Sequence, residues 1–141
     1  MHNNSIVEII HAVLRYASTT CAIAAQQNNS GALVVVEPDP RVWAVHTFNK
    51  VAHNCAAWSI LGVLGHEDLT VLVETKSYYT QTSEDIGAKG VTVKHFTWND
   101  LELETGLKVD TLILVCEGYW VSFVKQNKDK FRNVNKIILG R

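Results

Sequence analysis

The sequence predicts an α/β domain built around a mainly parallel β-sheet. Two runs carry that reading, Leu33-Val34-Val35-Val36 and Asp110-Thr111-Leu112-Ile113-Leu114-Val115, the first apolar at every position and the second at its last four. Runs of this kind match strands buried on both faces, and the segments between strands have helical period, which favours parallel pairing through right-handed crossovers. A length of 141 residues with 47% hydrophobic and 19% charged residues fits one domain, residues 1–141, with enough apolar surface for a core. In such a sheet, ligands sit at the carboxyl ends of the strands.

The elements follow in order. Residues 5–10 admit two readings: Ile6, Ile9, Ile10, Val13, Leu14 and Ala17 recur with helical period, whereas the alternation of elements calls for a strand. Residues 19–27, rich in Ala, read as helix. After the strand at 33–36, Pro38-Asp39-Pro40 reads as a helix start, with Asp39 as cap and Pro40 in the first turn, where an N–H has no intrahelical partner. That helix runs to about Asn54 and presents Val42, Val45, Phe48 and Ala52 as its packing face. Residues 59–64 and 69–73 are strand candidates around the polar turn Gly65-His66-Glu67-Asp68, and residues 91–96 suit an edge strand. Asn99-Asp100-Leu101 opens a short helix ended by Gly106. A strand at 109–115, a helix at about 119–130 and a last strand at 136–139 complete the chain. The polar segment 74–89, with Tyr78 and Tyr79, is long enough to be a loop over a site.

Composition narrows the function. A net charge of −1 supplies no field to gather phosphates, so nucleic acid is not an expected partner, and Lys125, Lys128, Lys130, Arg132 and Lys136 read as a solvated helix face and turn. No segment has the roughly 18–20 apolar residues of a membrane span. The start lacks a basic n-region, and Glu8, His11 and Arg15 interrupt the apolar stretch after it, so the expected location is cytoplasmic. Cys21, Cys55 and Cys116 lie far apart in apolar surroundings and read as reduced, buried thiols. His46 and His53 are seven apart where a two-histidine helical zinc site uses a spacing of four, and no metal is expected. Neither Gly-x-Gly-x-x-Gly, Gly-Lys-Ser/Thr nor Gly-x-Ser-x-Gly occurs, and no cysteine has a recognisable base beside it.

Two acids stand where strands end. Glu37 closes the run 33–36 and is placed to accept the two hydroxyls of a ribose; the competing reading is a solvated turn residue. Glu117, with Gly118, follows the run 109–115 at the same edge, and its competing reading is an acid interacting with a helix dipole.

Val35-Val36-Glu37-Pro38-Asp39-Pro40, Phe48-Asn49, Gly62-Val63-Leu64-Gly65, Thr97-Trp98-Asn99-Asp100-Leu101 and the stretch from Asp110 to Gly118 resemble the FkbM-type branch of S-adenosylmethionine-dependent methyltransferases, across residues 33–141. The resemblance implies a Rossmann-like, doubly wound sheet of about five strands, a methyltransferase fold lacking its last two strands. It implies S-adenosylmethionine as cofactor, with Glu37 on the ribose, Glu8 and Asp39 as further cofactor-binding residues, and Glu117 as the catalytic residue. A sugar or other small molecule would be the oxygen-methylated substrate. Val115 stands where the family has Asp, and Glu8 is the acid kept in a first-strand turn without its glycines. These departures raise an alternative, a cofactor-free domain acting as a structural or interaction subunit. In either case the terminal strand is left at an edge, for a second copy or a partner chain to cover.

Overall fold

The computed structural model describes residues 5–10, 17–72, 81–83, 90–115 and 120–139. In chain order these form β1 (Ser5–Ile10), α1 (Ser18–Gln26), β2 (Leu33–Val36), α2 (Trp43–Ala52), β3 (Trp58–Ile60), β4 (Val63–Leu64), β5 (Leu69–Leu72), β6 (Gln81–Ser83), β7 (Val91–Val93), β8 (His95–Phe96), α3 (Trp98–Thr105), β9 (Val109–Val115), α4 (Trp120–Gln126), a 3₁₀ turn (Lys130–Asn133) and β10 (Lys136–Leu139). The protein is a mixed α/β fold. Its largest sheet has the order β10-β9-β1-β2-β3, with every pair parallel. Two smaller sheets accompany it, the parallel pair β4-β8 and the antiparallel β6-β5-β7.

Every residue of β2 is buried, as its unbroken apolar run requires. On one side Val34 and Val36 join Ile60, Leu112, Leu114, Trp98, Leu101 and Phe123 in the principal core. Trp98, Phe123 and Phe131 meet with ring centroids 5.9–6.0 Å apart, tying α3 and α4 to the 3₁₀ turn. Residues 5–10 form a strand, not a helix: β1 pairs with both β2 and β9, and these tertiary ladders override the helical spacing of its isoleucines. The strands at 109–115 and 136–139 fall where the sequence places them, and β7 is an edge strand.

Helix α2 departs from expectation at both its start and its packing face. It begins at Trp43, its N-cap is Val42, and no side chain caps it, because Asp39 and Pro40 belong to a turn that precedes it. Of the expected face only Val42 is buried; Phe48 is 69% exposed, and Val45 and Ala52 also face solvent, as does Val51 outside that face, at 77%. The sheet side of the helix carries His46, fully buried, and Lys50 one turn later. Both reach Ser59 in β3. Apolar packing therefore seats only the start of this helix, at Val42 and Trp43, and hydrogen bonding seats the rest.

The reduced-thiol reading is also corrected: Cys21 and Cys55 form a disulfide, with Cα atoms 5.2 Å apart, linking α1 to the segment after α2. Thirty-four positions of sequence separate the two, so spacing gave no hint of the pairing. Disulfides persist mainly in oxidising compartments, so the cysteines lend no support to a cytoplasmic location. Cys116 lies outside the described residues. Among the described residues, no helix is long and apolar enough to cross a membrane.

At the opposite border, β10 has all four residues exposed, including Ile137, Ile138 and Leu139. Gly106 ends α3 in the left-handed region at φ 71°, and Thr97 with Asp100 closes a capping box at its start. Asp68 joins β8 through His95, accepting from the His95 backbone N–H at 2.9 Å and lying 2.6 Å from Nδ1. The hydrogen bond to His95 holds the Asp68 carboxyl below its ordinary pKa.

Two outcomes are expected. Cys55→Ser should lower unfolding free energy by about 3–4 kcal/mol, from the loop entropy that a cross-link of this span removes from the unfolded chain. In urea denaturation, dithiothreitol should then shift the wild type toward the variant and leave the variant unmoved. Because Asp68 has a depressed folded pKa, its contribution is complete above its unfolded value near 3.9 and is lost as pH falls through the lower folded value. The urea midpoints of wild type and Asp68→Asn should therefore differ at pH 6 and converge on acidification; a gap that is constant with pH would refute the assignment.

Candidate functional site

Because the five strands of the largest sheet run parallel, their carboxyl ends share one edge. The register aligns Ile9 with Val36 and Leu114, and Val36 with Ile60, so Glu37 is the first residue beyond the β1–β2 ladder. Its backbone continues the ladder toward β3: Glu37 N–H donates to the Ile60 carbonyl at 3.0 Å, and Gly62 N–H donates to the Glu37 carbonyl at 3.1 Å. The Trp43 indole N–H donates to that same carbonyl at 2.8 Å. Three groups from the neighbouring segments thus fix the position of this backbone unit.

The carboxylate of Glu37 is fully buried, and its Oε1 accepts the Asp39 backbone N–H at 2.8 Å. Asp39 repeats the pattern two residues on, with Oδ1 accepting Arg41 N–H at 3.0 Å. The Arg41 guanidinium then folds back in a two-pronged pair, Nη2 to Oδ2 at 2.7 Å and Nε to Oδ1 at 3.0 Å. Such charge-assisted, forked pairs are stronger than neutral hydrogen bonds. The side chain of Asp39 is wholly buried and that of Arg41 is 26% exposed. The sequence Glu-Pro-Asp-Pro-Arg is therefore a self-bonded turn. Prolines hold φ near −65° at alternate positions, and the acid before each of them accepts the N–H group two residues on.

Gly62 completes this corner. A Cβ there would stand 2.5 Å from the Lys94 carbonyl oxygen and 2.8 Å from Phe96 Cε2, so only glycine lets the chain pass. Val63 N–H donates to Lys94 O and Gly65 N–H to Phe96 O, joining the segment beyond Gly62 to β8.

The sequence-predicted residues are distributed unevenly about this corner. Glu37 and Asp39 come together there, although the carboxylate of Glu37 is enclosed and not projecting free of the sheet, because the Asp39 N–H and the turn close over it. Asp39 does not cap α2; its carboxylate is taken up by Arg41. Glu8 is in the middle of β1, paired with Val35 and Ile113, two residues before the strand's carboxyl end. Glu117, Tyr78 and Tyr79 lie outside the described residues. Sequence reasoning missed Arg41 and Trp43. The signal for Arg41 was its place two residues after an acid held between prolines; Trp43 had none beyond proximity. Among the described residues, no group of three or more His, Cys, Asp or Glu side chains could hold a metal ion. Comparison with protein-family models, curated proteins and solved structures finds no match to this chain.

Proposed function

We propose that the chain is a methyltransferase-like domain that binds S-adenosylmethionine or its demethylated product at the carboxyl edge of the sheet and serves oxygen methylation of a sugar or other small molecule. One observation carries the reading: parallel strands in the order β3-β2-β1-β9-β10 with an acid directly after β2. In chain order of the parallel strands this is 3-2-1-4-5, which agrees with the first five strands of the doubly wound order 3-2-1-4-5-6, where the direction of growth reverses between the first and fourth strands, here β1 and β9. In doubly wound sheets a crevice opens outside the carboxyl ends at such a reversal, and Glu37 directly follows β2, the strand beside β1.

The acceptor chemistry of the corner suits a ribose. A carboxylate accepts hydroxyl donors, and the buried Glu37 would take those of a ribose once the turn over it opens, in exchange for the Asp39 N–H that now holds its Oε1. When bound, the cofactor would supply an electrophilic methyl group. Glu37 would hold the ribose hydroxyls, Asp39 would keep the turn around it closed through Arg41, Glu8 would stand on the central strand beneath, and Glu117 would accept the proton of the substrate hydroxyl. Positioning in a dry pocket supplies much of the acceleration such a transfer needs.

A second reading has its own support. Glu37 and Asp39 are already engaged inside the chain, while β10 and the outer side of α2 expose apolar residues, with Leu139 at 71%. A cofactor-free subunit that docks through one of these surfaces would show both features.

Isothermal titration separates the readings. S-adenosylmethionine and S-adenosylhomocysteine should bind the wild type, and Glu37→Gln should weaken binding by about 10- to 100-fold, the worth of hydrogen bonds to a charged acceptor. No heat with the wild type would overturn the cofactor reading. The second reading expects self-association or a stable complex, so light scattering after size exclusion that shows only a soluble monomer at every concentration would count against it.

A further inference from the structure

Away from the carboxyl edge, a second polar cluster lies where α2 meets β3, the edge strand. The hydroxyl Oγ of Ser59 is 2.6 Å from Lys50 Nζ and 3.2 Å from His46 Nε2. Lys50 Nζ also donates to the Ala57 carbonyl at 2.5 Å. Lys50 and Ser59, with Thr47, Val51, Asn54 and Cys55, line an open hollow of about 400 Å³. A hydroxyl is thus held by two nitrogen bases at the wall of a space that admits a small molecule.

The protonation chemistry of the cluster is suited to activating that hydroxyl. Burial of an ammonium disfavours its charged form, and partial burial pushes the Lys50 pKa below its ordinary value. In the structure Nζ donates to both Ser59 Oγ and the Ala57 carbonyl; once deprotonated, the amine would keep an N–H on the carbonyl and turn its lone pair to the Ser59 hydroxyl proton. With the proton on Nε2, His46 donates to Oγ from the other side, leaving the hydroxyl hydrogen for Lys50. Serine activated by lysine is one of the recurring arrangements of acyl transfer.

We propose that Ser59 is a nucleophile for acyl transfer, with Lys50 as its general base, and that the hollow accepts a small ester or comparable acyl donor. Ser59 Oγ bonds to the acyl carbon as its proton passes to Lys50 Nζ; the ester C–O bond breaks and the departing alkoxide takes that proton from the Lys50 ammonium. Water then attacks the acyl-serine, gives its proton to Lys50, and the acid leaves as Ser59 regains its hydrogen. Asn54 and Thr47 line the same hollow, and their N–H and O–H groups would serve the developing oxyanion. This activity needs no cofactor and is independent of the carboxyl-edge site.

The test is covalent labelling of the full chain with a fluorophosphonate, which places phosphorus on an activated serine with loss of fluoride, followed by peptide mass spectrometry. The expected adduct is on Ser59, absent from Ser59→Ala. Lys50→Arg keeps the charge and the donors but accepts no proton, and should slow labelling at least about 100-fold, the scale of general base catalysis. Circular dichroism checks that both variants fold. An unlabelled wild type, an adduct confined to other residues, or K50R labelling at the wild-type rate would overturn the assignment. The wild-type map decides even if a variant unfolds.

Discussion

The burial of β2 on both faces is the constraint on which the rest depends. A four-residue strand with no exposed side needs a ladder along each edge and a layer above and below, and β1, β3, the principal core and α1 supply them. The demand does not stop at Val36. The chain leaves the strand still buried, so the polar groups of the next residues must find partners within the protein, as any buried polar group must. The turn from Glu37 to Arg41 is the solution: each acid accepts an N–H two residues ahead, and a guanidinium neutralises the second carboxylate. The position of the candidate site thus follows from the packing of the strand before it.

The same constraint explains the unusual seating of α2. Since the turn uses Asp39 for Arg41, the helix starts later, uncapped, and Trp43 is anchored on the Glu37 carbonyl. From that start the residues one and two turns along the sheet side are His46 and Lys50. Their burial is tolerable only because Ser59 and the Ala57 carbonyl meet them. The valines and phenylalanine of the helix are then turned to solvent. A polar seam under the helix and an apolar stripe over it are two results of one choice of helix phase.

Legibility in the sequence tracked how far each element depends on its own residues. The strand at 33–36 was readable because it is apolar throughout and buried on both faces, and that at 109–115 because its last four residues are apolar, although in the structure Leu112 and Leu114 are buried while Ile113 between them is only half-buried. The helix ended by Gly106 was readable because its stop signal is local. Residues 5–10 were ambiguous because helical spacing and strand pairing were both satisfied by the same isoleucines, and only the ladders to β2 and β9 decide between them. The face of α2 misled because periodicity gives the width of an apolar stripe but not which side the sheet lies on. At the site, the acid after β2 was visible in the pattern Glu-Pro-Asp-Pro, while its enclosure was not, since this depends on backbone N–H groups that no residue type announces. The pairing of Cys21 with Cys55 depends on where α1 and the end of α2 come together in space.

That disulfide has a consequence for the wholeness of the molecule. Residues 21–55 form a covalent ring that contains β2, the Glu-Pro-Asp-Pro-Arg turn and α2. A peptide bond broken anywhere within the ring would leave both fragments attached, each still carrying its own strands into the shared sheet. The segment that holds Glu37 is the part of the chain best insured against a nick.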